Sequence, residues 1–279
     1  MFKADLHIHS NYSDGLFSPE EIFRLAANSG LEAISITDHD CVNALKISKK
    51  LSKKFEIEFI PGIEFSTAFK GREVHMLGYF IDYNCNIIID FLKSISIKRI
   101  ERVEKIIDRL KKVNIKISLD NVLNGEKKDI SIGRPHIAKA LIEAGYVKTY
   151  RNAFFKYLGD NKIAFVKKEN PDLKEIIEII KSINGLSFLA HPGKYYNKEM
   201  LKNIIKSGID GIEVHHPSHR IQDAKNYVQL AEENNLLMSG GSDFHGLTKS
   251  EIKNFGKYYI DVSYISKMKS KLKGSFTYA

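Results

Sequence analysis

Histidines and carboxylates recur in this chain wherever a strand-like run gives way to a turn. His7-Ile8-His9 closes the first run, with Asp14 five residues on; Asp38-His39-Asp40 closes the second and Glu64 the third. His75 lies in the fourth, His191 follows the fifth, Glu213, His215 and His216 end the sixth, and Asp243 and His245 follow the seventh. Residues i and i+2 of a strand point to the same side. His7 and His9 can therefore reach one ion, and Asp243 and His245 repeat the arrangement. Imidazole combined with carboxylate suits Mn, Fe or Zn; no thiolate is offered, which argues against a structural zinc site. A lone HxH or DxH carries little weight. Their joint occurrence with HD, E, H and H at consecutive strand ends predicts a cluster of divalent metal ions. Such ions lower the pKa of bound water and so supply hydroxide near neutral pH. No activated Ser or Cys is evident, so the expected nucleophile is a metal-bound hydroxide rather than a protein group.

The elements that position these residues alternate. Strand signals fall at 2–9, 33–37, 57–64, 73–79, 186–190, 209–215 and 236–239, with helical periodicity between most of them. Ser18-Pro19-Glu20-Glu21 reads as a helix start, with Ser at the N-cap, Pro at the first helical position and acids in the first turn. Repeated βα units with short connections imply parallel strands, with sites at their C-terminal ends. Residues 86–158 break the alternation. They hold a long helix at 88–113 rich in Lys and Arg, then shorter helices at 132–144 and 150–157, and no convincing buried strand. The expected organisation is an α/β barrel from 1–85 and 159–279, interrupted by a small helical, substrate-capping insertion at 86–158.

Bulk properties fit a soluble globular protein: 279 residues, 43% hydrophobic and 28% charged. No apolar run approaches the roughly 20 residues needed to span a bilayer, and the N-terminus has no apolar signal core. The two cysteines, Cys41 and Cys85, read as unbridged thiols in a reducing cytoplasm. The net charge of +9, from 43 Lys+Arg against 34 Asp+Glu, suits anionic partners. Richness in Lys, Ile and Asn together also fits compositional drift.

The segments DLHIHSNYSDG, ITDHD, PGIEFST, VHMLGY, FLAHPG and GSDFHG resemble the PHP (polymerase and histidinol phosphatase) family of metallophosphoesterases. The resemblance covers the whole chain. It implies a distorted (β/α)7 barrel and three divalent ions, Mn2+ first, with Fe2+ or Zn2+ as alternatives. By motif, one ion would take His7, His9, Glu64 and Asp243; a second Asp14, His39 and His245; a third His75 and His191, with Glu64 as a shared bridge. Arg134-Pro135-His136 resembles a motif of members that hydrolyse nucleotide phosphates, where the Arg grips phosphate; the alternative is a plain helix start with a solvated Arg. His219, in Pro217-Ser218-His219, matches a recurring family position and is expected to contact phosphate. The pair His215-His216 departs from the Tyr often found in that loop, and its role stays open, as does that of His136.

Several residues have a structural alternative. Asp38 is either a partner that orients a ligand or a turn residue, and Asp40 reads as the cap of the next helix. Glu213 is a candidate to hydrogen-bond a ligand. The basic helix 98–112 mixes in Glu101, Glu104 and Asp108, so a solvated face is preferred over a nucleic-acid track.

The implied activity is hydrolysis of nucleotide phosphate esters: a nucleoside 3′,5′-bisphosphate 3′-phosphatase, a 5′-3′ exonuclease on short oligonucleotides, or both. The partner is then a phosphorylated nucleotide or short oligonucleotide, with no membrane and no obligate protein. Two alternatives remain. One is histidinol-phosphate phosphatase, disfavoured because that branch lacks such an insertion. The other is a non-catalytic metal-binding module, disfavoured by the complete ligand set.

Overall fold

The computed structural model describes residues 2–123, 130–193 and 196–275. The chain divides into two compact units, 1–89 with 170–279, and 90–169.

The first unit is a mixed α/β fold. It begins with β1 (Lys3–Ile8), α1 (Pro19–Asn28), β2 (Leu31–Ile36), α2 (Leu45–Phe55), β3 (Glu58–Phe59), β4 (Gly62–Phe69) and β5 (Arg72–Tyr79). The start of α1 is as the sequence predicts. Ser18 Oγ accepts the Glu21 N–H, and the Glu21 carboxylate accepts the Ser18 N–H at 2.8 Å. Such a capping box contributes about 1 kcal/mol to the helix. The single strand expected at 57–64 is two, because Pro61 cannot donate to a ladder and splits β3 from β4.

The second unit begins within α3 (Asn86–Lys111) and continues through α4 (Leu119–Leu123), α5 (Arg134–Glu143), α6 (Tyr150–Ala153) and a π-helical turn at Phe154–Leu158. Its core gathers Ile106, Leu110, Ile137, Leu141 and Leu158, all fully buried. The basic helix presents Lys98, Lys105 and Lys111 to solvent, as its sequence suggests, while its arginines also bond within the unit. Arg99 Nη1 and Arg102 Nε each donate at 2.9 Å, to the carbonyls of Ile132 and Val166, and Arg109 donates to that of Phe165. These arginines tie the extended segments of their own unit to α3.

The first unit resumes with α7 (Leu173–Ser182), β6 (Leu186–Leu189), α8 (Lys198–Ile205), β7 (Gly211–His215), α9 (Ile221–Glu233), β8 (Leu237–Gly240), α10 (Lys249–Asn254), β9 (Ile260–Asp261) and α11 (Ser263–Ser275). The expected (β/α)7 barrel is not closed by these strands. They form two sheets, ordered β3-β2-β1-β9 and β4-β5-β6-β7-β8. The all-parallel expectation fails at β4-β5-β6, which are antiparallel. The cause is local: Phe69 pairs with Arg72 across Lys70 and Gly71, which both have positive φ (49° and 79°). That is a two-residue hairpin turn, which reverses the chain where parallel strands were expected. Antiparallel β9 against β1 escaped the sequence reading because two residues show no alternation. Two single bridges, Ile8 to Phe244 and His39 to Glu64, join the two sheets. Every residue of these bridges is itself in, or next to, the predicted ligand set.

Candidate metal centre

Glu64 lies on β4, fully buried, with five imidazoles around its carboxylate. Oε2 is 3.4 Å from His7 Nε2, 3.2 Å from His9 Nε2 and 3.0 Å from His39 Nδ1; Oε1 is 3.0 Å from His75 Nδ1 and 2.9 Å from His191 Nε2. Asp243 Oδ1 lies 3.3 Å from His7 Nε2 and 3.0 Å from His9 Nε2. Asp14 reaches His245 Nε2 at 3.3 Å and His39 Nε2 at 3.8 Å. All nine residues that the family resemblance implies as ligands thus fall in one cluster.

The chain reaches this geometry through main-chain hydrogen bonds at the sheet junctions. His9 N–H donates to the Phe244 carbonyl at 2.9 Å, which sets the end of β1 beside Asp243 and His245. Asp40 N–H donates to the Glu64 carbonyl at 2.9 Å, which does the same for His39. Asp38 binds the loop after β1. Its carboxylate accepts Ser10 N–H at 2.7 Å, Ser10 Oγ–H at 2.6 Å and Ser13 Oγ–H at 2.5 Å, and so shapes the turn that presents Asp14. Asp40, expected to cap the next helix, instead accepts the Ser66 N–H at 2.9 Å, and α2 begins without a side-chain cap. His191 and Asp243 hold left-handed backbone, with φ of 24° and 50°. Strain of this kind in residues without glycine's freedom gathers at functional sites.

Ring orientation is set from outside. His7 Nδ1 faces Glu213 Oε1 at 3.1 Å, and His245 Nδ1 faces the Asp243 carbonyl at 2.8 Å. With a proton held on Nδ1 by these outer oxygens, a neutral ring of His7 or His245 would present Nε2, with its lone pair, to a cation.

Inside the cluster, polar atoms lack partners. His7 Nε2, both His9 nitrogens, Asp14 Oδ1, His39 Nδ1 and Glu64 Oε2 are buried without a hydrogen bond of acceptable geometry. Leaving so many buried polar atoms unsatisfied is costly. Divalent cations would satisfy them, since every orphan is an N or O donor of the type such ions take. The donors converge in sets that each fit within 4.8 Å: His7, His9, Glu64 and Asp243; His9, Asp14, His39 and His245; His39, Glu64 and His75.

Without cations, the cluster's charges balance one another. Burial opposes charge on His75 and His245, but the neighbouring Glu64 and Asp14 carboxylates prevail and raise both to about 10. His7 is likewise held well above its usual value by Glu213, Glu64 and Asp243, against the effect of burial. Burial also disfavours ionised Glu64, Asp14 and Asp243, yet the surrounding imidazoles hold all three well below the usual carboxylate range.

A fourth set joins His7 to Glu213 and His216. His216 Nε2 lies 3.2 Å from Asp243 Oδ2. The sequence left His216 unassigned because two adjacent histidines in a loop do not declare which one turns inward. Here His216 is buried and His215 is exposed.

His219 does not offer a free nitrogen for phosphate. Its Nδ1 faces the Val214 carbonyl at 3.0 Å, and its Nε2 accepts the Gly193 N–H at 3.1 Å. This pairing requires the neutral ring, and burial lowers its pKa accordingly. His136 Nδ1 accepts the Gly133 N–H, a capping role at the start of α5. Arg134 is paired within the second unit, 3.0 Å from Asp160 Oδ1 and 3.2 Å from the Leu158 carbonyl, over the rings of Phe154 and Phe165.

Comparison with known proteins places this arrangement. The chain is 33% identical to a 5′-3′ exoribonuclease of Haemophilus influenzae, covering 87% of this chain and 90% of the relative. It is 32% identical to a 3′,5′-nucleoside bisphosphate phosphatase of Chromobacterium violaceum, covering 88% of each. A solved structure from Bifidobacterium adolescentis, described as a metal-dependent phosphoesterase, superposes with a TM-score of 0.88 at 27% identity, covering 95% of this chain and 94% of that one. Fold, cluster and relatives together define a phosphoric ester hydrolase. The chain belongs to the PHP domain family, which matches residues 5–212. No helix among the described residues is long and apolar enough to cross a membrane.

Proposed function

We propose that this protein is a metal-dependent phosphoesterase acting on phosphorylated nucleotides, as a nucleoside 3′,5′-bisphosphate 3′-phosphatase, a 5′-3′ exonuclease on short oligonucleotides, or both. The observation that carries the metal dependence is Glu64, a buried carboxylate amid five imidazoles with orphaned donor atoms facing inward. The nucleotide assignment is supported by the activities named for the two relatives.

Three divalent ions, manganese first, are assigned as follows. His7, His9, Glu64 and Asp243 would hold one; Asp14, His39 and His245 a second; His75 and His191 a third, with Glu64 shared. Such ions activate water and neutralise phosphoryl charge. The chain's own residues do the rest. Glu213 and the Asp243 carbonyl orient the rings of His7 and His245. Asp38 fixes the turn that carries Asp14. Arg134 is our candidate for a substrate phosphate, since a guanidinium binds phosphate bidentately; the phosphate would replace Asp160 on its Nη1.

A manganese-loaded substrate panel tests the assignment: adenosine 3′,5′-bisphosphate, a 5′-phosphorylated oligoribonucleotide and histidinol phosphate. Turnover of the first or second is expected. Turnover of histidinol phosphate alone overturns the nucleotide reading. Arg134→Ala should lower kcat/KM for the bisphosphate at least tenfold, about 1.4 kcal/mol.

A further inference from the structure

Along α9, Ile221, Ala224, Lys225 and Val228 stand at i, i+3, i+4 and i+7 and share one face. The helix is anchored to the fold by other residues, the buried Tyr227 and Ala231. The second stripe is only partly packed: Ala224 and Val228 are half-buried, Lys225 is exposed, and Ile221 is 80% exposed. That stripe forms one wall of a solvent-open cavity of about 470 Å³, lined also by Tyr258, His215 and His216, with Arg220 at the head of the helix. Sites for small organic ligands span roughly 300–1,000 Å³ and combine apolar walls with a few polar groups. Here the polar groups are Lys225, Arg220, which also pairs with Asp223 Oδ2 at 3.4 Å, and histidines. The cavity abuts the metal cluster through one residue: His216 lines it and also lies 3.2 Å from Asp243 Oδ2.

We propose that this cavity seats the nucleoside part of the substrate whose phosphate lies at the cluster; the inference rests on the nucleotide reading above. A nucleobase offers flat apolar faces that pack on aliphatic and aromatic side chains, here Ile221, Val228 and Tyr258. Lys225 and Arg220 counter the charge of a nucleotide's phosphates. An apolar wall alone would suit many ligands. Paired with two cations and placed one imidazole away from a phosphoester-cleaving cluster, it selects for a base joined to phosphate. Preference for a nucleotide over a simple phosphomonoester is thus assigned to α9.

The test uses Ile221→Asp, whose exposed position keeps the substitution out of the core, and Lys225→Ala. Each is loaded with manganese and assayed on adenosine 3′,5′-bisphosphate and on the abasic ribose 3,5-bisphosphate. The wild-type preference for the nucleotide, as a ratio of kcat/KM, should fall at least tenfold in Ile221→Asp, mainly through KM, and by a smaller factor in Lys225→Ala. An unchanged ratio, or equal losses on both substrates, overturns the proposal. If the wild-type protein hydrolyses neither compound, the nucleotide function fails separately. The cavity is then read by equilibrium dialysis of the manganese-loaded protein with adenosine 5′-monophosphate. Binding that weakens at least tenfold in Ile221→Asp supports the site; no binding, or equal binding by both proteins, overturns it.

Discussion

Glu213 accepts the backbone N–H of His191 through Oε2 at 2.6 Å, while its Oε1 faces His7 Nδ1 at 3.1 Å. One buried carboxylate thus sets a ring on the first strand and a main-chain segment after the sixth. Glu213→Gln keeps the shape and removes the charge. It should weaken metal loading by about 10- to 100-fold, the usual cost of losing such an outer partner, with the fold retained. Metal content measured against free manganese checks this, and an unchanged binding curve refutes it.

The His191 segment is held from the other side as well. Gly193 gives its N–H to His219 Nε2 and receives the Tyr227 hydroxyl proton on its carbonyl. The His219 and Tyr227 rings lie 5.0 Å apart. These residues clamp the turn that keeps His191 in its strained conformation. Tyr227→Phe removes one hydrogen bond worth about 1 kcal/mol. The expected result is a roughly fivefold loss of affinity for the ion that His191 serves. Manganese titration of the variant, followed by electron paramagnetic resonance, reads it; a titration identical to wild type would show the clamp to be idle.

Chelation should leave a protein whose stability falls with rising pH. His75 and His245, raised from 6.5 to about 10 in the ion-free cluster, contribute stability that is complete below pH 6.5 and lost as pH climbs through 10. Glu64, Asp14 and Asp243, depressed below ordinary carboxylates, contribute stability present above about pH 4.5 and lost on acidification. The chelated protein should therefore melt highest at pH 5–6 and progressively lower from pH 7 to 10. The metal-loaded protein should lack the alkaline fall, because its imidazoles are already deprotonated, and loading at pH 7 should release protons. Calorimetric melts of both forms across that range decide the matter.

The candidate ligands were legible through the family motifs and, for His7 and His9, through strand spacing at the end of β1; Asp243 and His245 lie beyond β8, with Asp243 at φ 50°, so strand periodicity does not account for their convergence. Sheet topology was less legible. Whether β4 and β5 turn back or cross over depends on two residues, Lys70 and Gly71, whose left-handed backbone leaves no mark on the hydrophobic pattern. His216 was hidden for another reason: its partner, Asp243, lies 27 residues away in sequence, and no local pattern encodes a distance of that kind. Glu213 was legible as a candidate to hydrogen-bond a ligand, but not that the ligand is His7, 206 residues away. His219 shows the converse. Its sequence neighbourhood suggests phosphate, yet two backbone groups occupy both ring nitrogens.

Glu64 carries the most weight, and removing its charge should be read in two ways. Glu64→Gln should abolish metal loading and turnover, since the carboxylate bridges the first and third proposed ions and an amide is a poor ligand for either. It should also reduce the alkaline fall in the stability of the chelated protein, leaving the part due to His245, which Asp14 and Asp243 raise. Burial alone lowers the pKa of His75, and Glu64 is the largest influence that raises it. Without that carboxylate the ring loses most of its reason to hold a proton above pH 6.5, so the melting temperature of the chelated variant should vary less between pH 7 and 10 than that of the chelated wild type. Full activity in Glu64→Gln would sink the metal-bridge assignment. An undiminished alkaline fall would show that the pH dependence arises elsewhere in the cluster.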